Sequence, residues 1–193
     1  HLAVRMLLSG KAPHPMVEVT GARGKTTAAY TIAHGLRGPG VLHTSRGTYR
    51  FPDQALLWRR SITPASVVPA AEEAARTSGW LVAEESLGVS GAGDVAVLTS
   101  GEDYRIAAGR RSALAAKLES MRDAPRVGVP AGIRFDHPHL VDAGKCVSWE
   151  GDRCSYDHNG IRGEFRNPLG ELPSYRVSLS LAAAALCALG RDP

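Results

Sequence analysis

Residues Val17–Leu36 read VEVTGARGKTTAAYTIAHGL, and the fold class turns on them. Met16-Val17-Glu18-Val19-Thr20 is short, apolar and β-branched, the composition of a buried strand. It runs without a break into Gly21-Ala22-Arg23-Gly24-Lys25-Thr26-Thr27. Two glycines let the backbone fold back so that successive N–H groups converge on one anion, while Lys25 adds a point charge and Thr26 a hydroxyl suited to Mg²⁺. Thr27–Leu36 then has the pattern of a helix whose positive N-terminal end faces the bound phosphates. The spacing is the short T-G-x-x-G-K-T-T form rather than G-x-x-x-x-G-K-[ST], because Val19 stands five residues before Gly24. Strand, glycine loop and helix in this order predict an α/β domain that holds a nucleotide at one edge of its sheet.

The bulk composition fits that expectation. The chain has 193 residues, 44% hydrophobic and 22% charged, enough for one domain with a sizeable core. Its net charge of +4 suits a polyanionic ligand such as a nucleotide or a carboxylate-bearing small molecule. No basic run or aromatic-basic interleaving occurs, which argues against nucleic acid as a partner. Cys146, Cys154 and Cys187 are odd in number and lack C-x-x-C spacing, so reduced thiols in a cytoplasm are expected rather than a disulfide framework or a zinc site. No apolar run reaches the roughly 20 residues of a membrane span, and Leu2–Ser9 is too short for a signal peptide.

Read in order, residues 1–15 form a lead-in, with a helical stretch Leu2–Ser9 and then the breaker-rich Gly10–Pro15. After the first strand and helix, Gly38-Pro39-Gly40 turns the chain into the strand Val41-Leu42-His43-Thr44, a βαβ unit that predicts a mainly parallel sheet flanked by helices in three layers. Ala55–Arg60 reads as an edge strand, and Pro64 opens an amphipathic helix with Val67, Val68, Ala71 and Ala75 on one face. Trp80–Ala83 is an apolar strand that delivers Glu84-Glu85-Ser86 at its C-terminal end, where open α/β sheets bind ligands. Strand side chains alternate, so only one of the two glutamates can face the site. Asp94–Ser100 makes a further strand, Arg110–Met121 a helix carrying Lys117, and Val127–Pro130 a fifth strand. Lys145–Trp149 and Arg153–Phe165, around the hairpin turn Asn159-Gly160, predict a small β-rich appendage near residues 145–166. His137 and His139, separated by Pro138 and without a third partner, read as a solvated loop. Arg176–Leu189 is a closing helix capped by Gly190.

The short phosphate loop resembles that of the Mur ligase family, the ATP-dependent ligases of peptidoglycan, folate and related pathways. Thr44-Ser45-Arg46-Gly47-Thr48, Ser61-Ile62-Thr63-Pro64, Glu84-Glu85-Ser86 and Ser174-Tyr175-Arg176-Val177-Ser178 are similar to family elements in the same order. The resemblance covers residues 16–190 as one central ATP-binding domain, with the family's flanking domains outside this chain and a C-terminal ligase domain expected in the full-length protein. It implies ATP and Mg²⁺ as cofactors. Gly21, Ala22, Arg23, Gly24, Lys25, Thr26, Thr27 and Arg176 are then the nucleotide-binding residues, and Thr26, Glu84 and Thr44 the metal ligands. Lys25, Glu84 and Lys117 carry the catalysis, Lys117 standing where the family has a lysine that can be carbamylated. Gly101-Glu102-Asp103-Tyr104 departs from the family's Asn-rich, Asp-His loop, and Arg176 stands where an Asn is expected.

The implied reaction converts a substrate carboxylate into an acyl phosphate that a nucleophile then attacks. Within the family, Gly21–Lys25, His43–Thr48 and Ala83–Asp94 look most like the branch that closes a ring from a propionate side chain of a nickel tetrapyrrole. Arg23 is also similar to the loop of poly-γ-glutamate synthetases, so an amide-forming ligase of that kind or of peptidoglycan stays open. A nucleotide-binding ATPase or regulatory module without ligase chemistry is the alternative from a different class.

Overall fold

The computed structural model describes residues 1–193. The elements run, in chain order, α1 (Leu2–Leu8), β1 (Met16–Thr20), α2 (Lys25–Gly35), β2 (Gly40–Thr44), β3 (Gly47–Phe51), β4 (Ala55–Trp58), α3 (Pro64–Arg76), β5 (Trp80–Glu84) and β6 (Val95–Leu98). There follow β7 (Arg105–Ile106), β8 (Arg111–Ser112), α4 (Ala113–Met121), β9 (Val127–Val129), β10 (Leu140–Asp142), α5 (Ala143–Cys146), β11 (Val147–Glu150), β12 (Arg153–His158), β13 (Ile161–Arg166), a 3₁₀ turn Pro168–Glu171 and α6 (Pro173–Ala188).

Eight strands form the main sheet in the order β10-β9-β6-β1-β5-β2-β3-β4. The first six are parallel, and β3 and β4 continue antiparallel at one edge. β1, β2 and β5 are buried along their whole length, as strands covered on both faces must be. Alternate residues feed opposite layers. Val17, Val19, Val82, Val95 and Val97 pack under α2 and α6, whereas Met16, Leu81 and Ala83 pack under α1 and α3. Ala96, Leu98 and Val127 pack with Met121 of α4. At roughly 1.5–3 kcal/mol for each fully buried aliphatic side chain, these layers carry most of the stabilisation. No helix is long and apolar enough to cross a membrane.

The expected architecture is thus present, with local departures. Thr44-Ser45-Arg46-Gly47 is a tight hairpin rather than an open loop, because Thr44 pairs with Gly47 and β3 follows at once. Gly47 holds φ 150° there, a backbone region that side chains rarely adopt. The edge strand stops at Trp58. The buried face of α3 is Ser66, Val67, Ala70, Ala71 and Ala74, and Ala75 is exposed. α4 starts at Ala113, where Ser112 caps it by accepting from the Ala115 amide at 2.9 Å. Lys145 lies in α5, a single turn capped by Asp142, and not in a strand. The appendage is a three-stranded antiparallel sheet, β11-β12-β13. Cys146, Cys154 and Cys187 are free and buried beside it. Burial pushes the Cys154 thiol up to about 12 and that of Cys187 up to about 11, so these are packing groups and not nucleophiles.

Candidate nucleotide and metal site

The C-terminal ends of β1, β2, β5 and β6 converge on one edge. β1 ends at Thr20 and the chain turns through Gly21, with φ 145°, and Gly24, with φ 78°. A Cβ on Gly21 would lie 2.1 Å from Thr99 Oγ1, so only glycine lets the loop lie against β6. α2 starts at Lys25, two residues earlier than its sequence suggests. Its N-cap is Gly24, with no side-chain cap and no acidic residue in the first turn. An uncapped helix N-terminus keeps its first amides, and the positive end of the macrodipole, for an external anion. Ser100, two residues past the end of β6, supports the loop. Its Oγ accepts from the amides of Ala22 at 3.1 Å and Arg23 at 3.3 Å.

Glu84, at the end of β5, is the charged centre of this edge. Its Oε2 accepts from Thr26 Oγ1 at 2.9 Å, from the Ser45 amide at 3.1 Å and from Ser45 Oγ at 3.4 Å. Its Oε1 lies 3.9 Å from Lys25 Nζ, which donates to the Gly21 carbonyl at 3.2 Å. Its side chain is 3% exposed, so these partners take the place of water around the carboxylate. The Glu84 carboxylate with the Thr26 and Ser45 hydroxyls is a hard oxygen set of the sort Mg²⁺ prefers, and Mg²⁺ needs only one or two protein ligands when phosphates and water complete its shell. The residues present therefore fit that ion. No group of three His, Cys, Asp or Glu gathers anywhere to form an all-protein cage.

Glu85 points the other way, as alternation requires. It is fully buried and neither carboxyl oxygen has a hydrogen-bond partner. On the same side of the sheet, the Glu18 carboxylate accepts from the amides of Ser90, Gly91 and Gly93 at 2.8, 3.1 and 3.0 Å and from the Ser90 hydroxyl. These four donors satisfy Glu18 and pin residues 90–93 beneath the sheet edge. Burial first, and the Glu18 charge second, raise Glu85 well above the ordinary value of 4.5. The folded state therefore holds a proton that the unfolded chain releases above about that pH, and stability falls as pH rises toward the folded-state value. Glu85→Gln, a neutral isostere, is expected to melt higher than wild type near pH 7.5, by roughly 2–4 °C for each kcal/mol regained. The difference should close near pH 4.5. Scanning calorimetry across that range checks it.

Not every assigned residue reaches this cluster. Thr44 Oγ1 donates to the Gly47 carbonyl at 3.2 Å and accepts from the Arg46 amide at 3.3 Å, closing the hairpin turn. Ser45 takes the place at Glu84 that was expected of Thr44. The Arg176 guanidinium donates to the carbonyl of Gly170 and, at 3.3 Å, to that of Gly151, which ties the 3₁₀ turn to the appendage. Lys117 lies under the neighbouring loop, where its Nζ donates to Tyr104 Oη at 3.1 Å. Arg23 is exposed and pairs with Glu102 at 2.9 Å.

Two clefts flank the loop. One, of about 450 Å³, is lined by Thr26, Tyr30, His34, Arg46, Asn167 and Leu179. The other, of about 620 Å³, is lined by Arg23, Ser100, Gly101, Ile133, Val177 and Ser178. Ser45, Ser100, Glu18 and His43 were not singled out in the sequence. His43 is buried, neutral under the burial that lowers its pKa, and linked to Thr48 Oγ1 at 2.8 Å and Ser66 Oγ at 3.2 Å, so it fixes the hairpin against α3. The serines could be found only by asking what satisfies the loop amides and Glu84.

No family model matches the chain, and no curated protein matches it in sequence. Solved structures do. MurF from Acinetobacter baumannii is 18% identical at a TM-score of 0.63, over 98% of this chain and 46% of that one. A pseudomurein peptide ligase type C from Methanothermus fervidus is 18% identical at 0.62, over 96% of this chain and 48% of that one. A UDP-N-acetylmuramoyl-L-alanyl-D-glutamate–2,6-diaminopimelate ligase is 14% identical at 0.60, over 96% of this chain and 45% of that one. The fold is that of the Mur ligases, and the chain spans about half the length of those structures.

Proposed function

We propose that this chain is the ATP-binding core of a Mur-type ligase that activates a substrate carboxylate as an acyl phosphate. The observation that carries the reading is the uncapped N-terminus of α2, with Lys25 and Thr26 in its first turn, set against the buried carboxylate of Glu84. The triphosphate of ATP would take up the free first-turn amides, and Lys25 would leave the Gly21 carbonyl for a phosphate oxygen. The base would lie in the cleft between Ile133 and Val177, beside Ser178. Thr26, Glu84 and Ser45 would hold Mg²⁺, which when bound offsets the negative charge that builds on the transferring phosphoryl group. A carboxylate oxygen attacks the γ-phosphorus, the bond to the ADP oxygen breaks, and ADP leaves. A nucleophile then attacks the acyl carbon and expels phosphate. Once ATP has drawn Lys25 from the Gly21 carbonyl, the loop amides and Lys25 would be in place before the phosphoryl group moves and would stabilise it without further reorganisation.

Within that class we assign the chain to a coenzyme F-430 synthase, which closes a ring from a propionate of a nickel tetrapyrrole. The support is the resemblance of Gly21–Lys25, His43–Thr48 and Ala83–Asp94. Phosphate release from ATP by the full-length protein is the test. A nickel tetrapyrrole with a free propionate is expected to stimulate it, and glutamate or a UDP-linked muramyl peptide is not. Stimulation by glutamate would move the assignment to the poly-γ-glutamate synthetases, and full-rate hydrolysis without substrate would leave an ATPase module.

A further inference from the structure

β4 ends at Trp58, and α3 begins only at Pro64. The segment between them, Arg59 to Thr63, has its course fixed at both ends. Trp58 pairs with Thr48, Thr48 with His43 and His43 with Ala83, so the segment leaves the sheet three strand spacings, about 14 Å, from the residue before Glu84. It arrives next to the end of β5, because the Ile62 carbonyl accepts from the Ser86 amide at 2.9 Å. Ser66 anchors it from α3, its hydroxyl donating to the carbonyls of Ser61 and, at 2.6 Å, Thr63. Arg59 to Thr63 is therefore a strap across the same sheet edge that carries Glu84.

The strap puts two unmatched cations on that edge. Arg59 and Arg60 are exposed and form no ion pair, whereas Arg50 of β3 and Arg76 of α3 are matched by Asp53 and Glu73. The first turn of α3 offers them no acid either. Arg60 holds its guanidinium 5.6 Å from the centre of the Trp58 ring, a cation–π contact that places the head group. The Trp58 Nε1 is closed to solvent and donates to nothing. A buried N–H without an acceptor is costly and uncommon, so this one calls for a partner. The strap also shares its electrostatics with the metal cluster. After burial, which lowers the His43 pKa most, the Ser61 carbonyl and the Glu84 charge raise it and the Arg60 charge lowers it, so both charges act on one imidazole.

We infer that Arg59 and Arg60 bind a carboxylate of the substrate other than the one that is activated. A guanidinium offers parallel donors that match a carboxylate in plane, and two of them side by side without acids select an anion. An oxygen held by Arg60 would supply the acceptor that Trp58 Nε1 lacks. With the reacting carboxylate at Glu84 and its metal, the second one lies within about 14 Å of it. The substrate is then a polycarboxylate, and a molecule whose single carboxylate is the reacting one leaves the strap empty. The placing of the reacting carboxylate rests on the ligase reading, but the affinity of the strap for carboxylates does not. Both a tetrapyrrole with several acidic side chains and a γ-linked glutamate chain carry this feature.

Phosphate release by the full-length protein is measured against the concentration of three compounds. They are a nickel tetrapyrrole with all its carboxylates free, the same tetrapyrrole with one propionate free and the rest as methyl esters, and a γ-linked glutamate oligomer. Wild type is expected to show a KM for the free acid lower than that for the ester by about tenfold or more. The double variant Arg59→Gln, Arg60→Gln is expected to raise the KM for the acid to that of the ester, with kcat unchanged and the KM for the ester unmoved. Arg50→Gln, which removes a matched arginine, should behave as wild type. Whichever of the tetrapyrrole acid and the glutamate oligomer stimulates release identifies the source of the carboxylate. Equal KM values for acid and ester in wild type overturn the proposal without recourse to any variant. So does a folded double variant that keeps the wild-type difference. If no compound stimulates ATP cleavage, the ligase reading fails instead, and spectrophotometric titration of tetrapyrrole acid and ester into wild type and double variant decides the strap by Kd. The same difference between acid and ester, lost in the variant, supports it, and equal Kd values overturn it.

Discussion

Lys25→Ala is expected to abolish measurable ATP turnover in the intact enzyme, a loss of about 10²–10³-fold or more, and to weaken Mg-ATP binding by the chain itself. No other residue of the loop can replace it. Arg23 is exposed and engaged with Glu102, and the other groups the loop could offer a phosphate, its amides and threonine hydroxyls, are neutral. The Lys25 side chain is 16% exposed and its Nζ lies between the Gly21 carbonyl and Glu84, so it would reach an anion without crossing the core. A charge-assisted hydrogen bond is worth about twice a neutral one, and here it acts on the group that is transferred. Calorimetric titration of Mg-ATP into wild type and variant measures the binding part. Unchanged affinity would remove the loop from the nucleotide site.

The second large effect separates two adjacent glutamates. Glu84→Gln is expected to lower Mg²⁺-dependent turnover by roughly 10²-fold, whereas Glu85→Gln leaves it within a few-fold of wild type. Glu84 accepts from Thr26 and Ser45, so it holds the hydroxyls and the charge that an Mg²⁺ ion requires. Glu85 faces Glu18 on the opposite side of the sheet and has no path to the loop. The amide at Glu84 can still accept from Thr26, so a folded but slow enzyme with a raised Mg²⁺ requirement is the expected phenotype. Steady-state assays over a range of Mg²⁺ concentrations distinguish it. Loss of turnover in Glu85→Gln with activity retained in Glu84→Gln would reverse the assignment.

Much of this geometry is readable from sequence because it depends on short-range rules. A β-branched run, two glycines and Lys-Thr place the loop and α2, and the period of two along β5 predicts that only one of Glu84 and Glu85 meets the loop. What is not readable depends on contacts across the chain. Ser100 meets the amides of Ala22 and Arg23 from 78 and 77 residues away, and nothing in Thr99-Ser100 itself signals that. Thr44 and Ser45 are equally plausible hydroxyl ligands until the hairpin is seen to turn Thr44 inward to Gly47. Arg176 enters the nucleotide-binding set only through the family resemblance, and its bonds to the carbonyls of Gly170 and Gly151, 6 and 25 residues away, leave no local signal. Ala143–Cys146 forms a helical turn through the Asp142 cap, a local signal outweighed in the sequence by the strand character of Val147–Trp149. The Lys117–Tyr104 contact spans a hairpin whose strands are too short to leave a periodic trace.

The central claim is that the carboxylate itself is phosphorylated, and an isotope transfer tests it most directly. The substrate that stimulates ATP cleavage is prepared with ¹⁸O in its carboxylate, turned over by the full-length enzyme, and the released phosphate is weighed by mass spectrometry. Formation and breakdown of an acyl phosphate predict one ¹⁸O atom in each phosphate, with ADP as the nucleotide product. Unlabelled phosphate would mean that water, and not the substrate, receives the phosphoryl group.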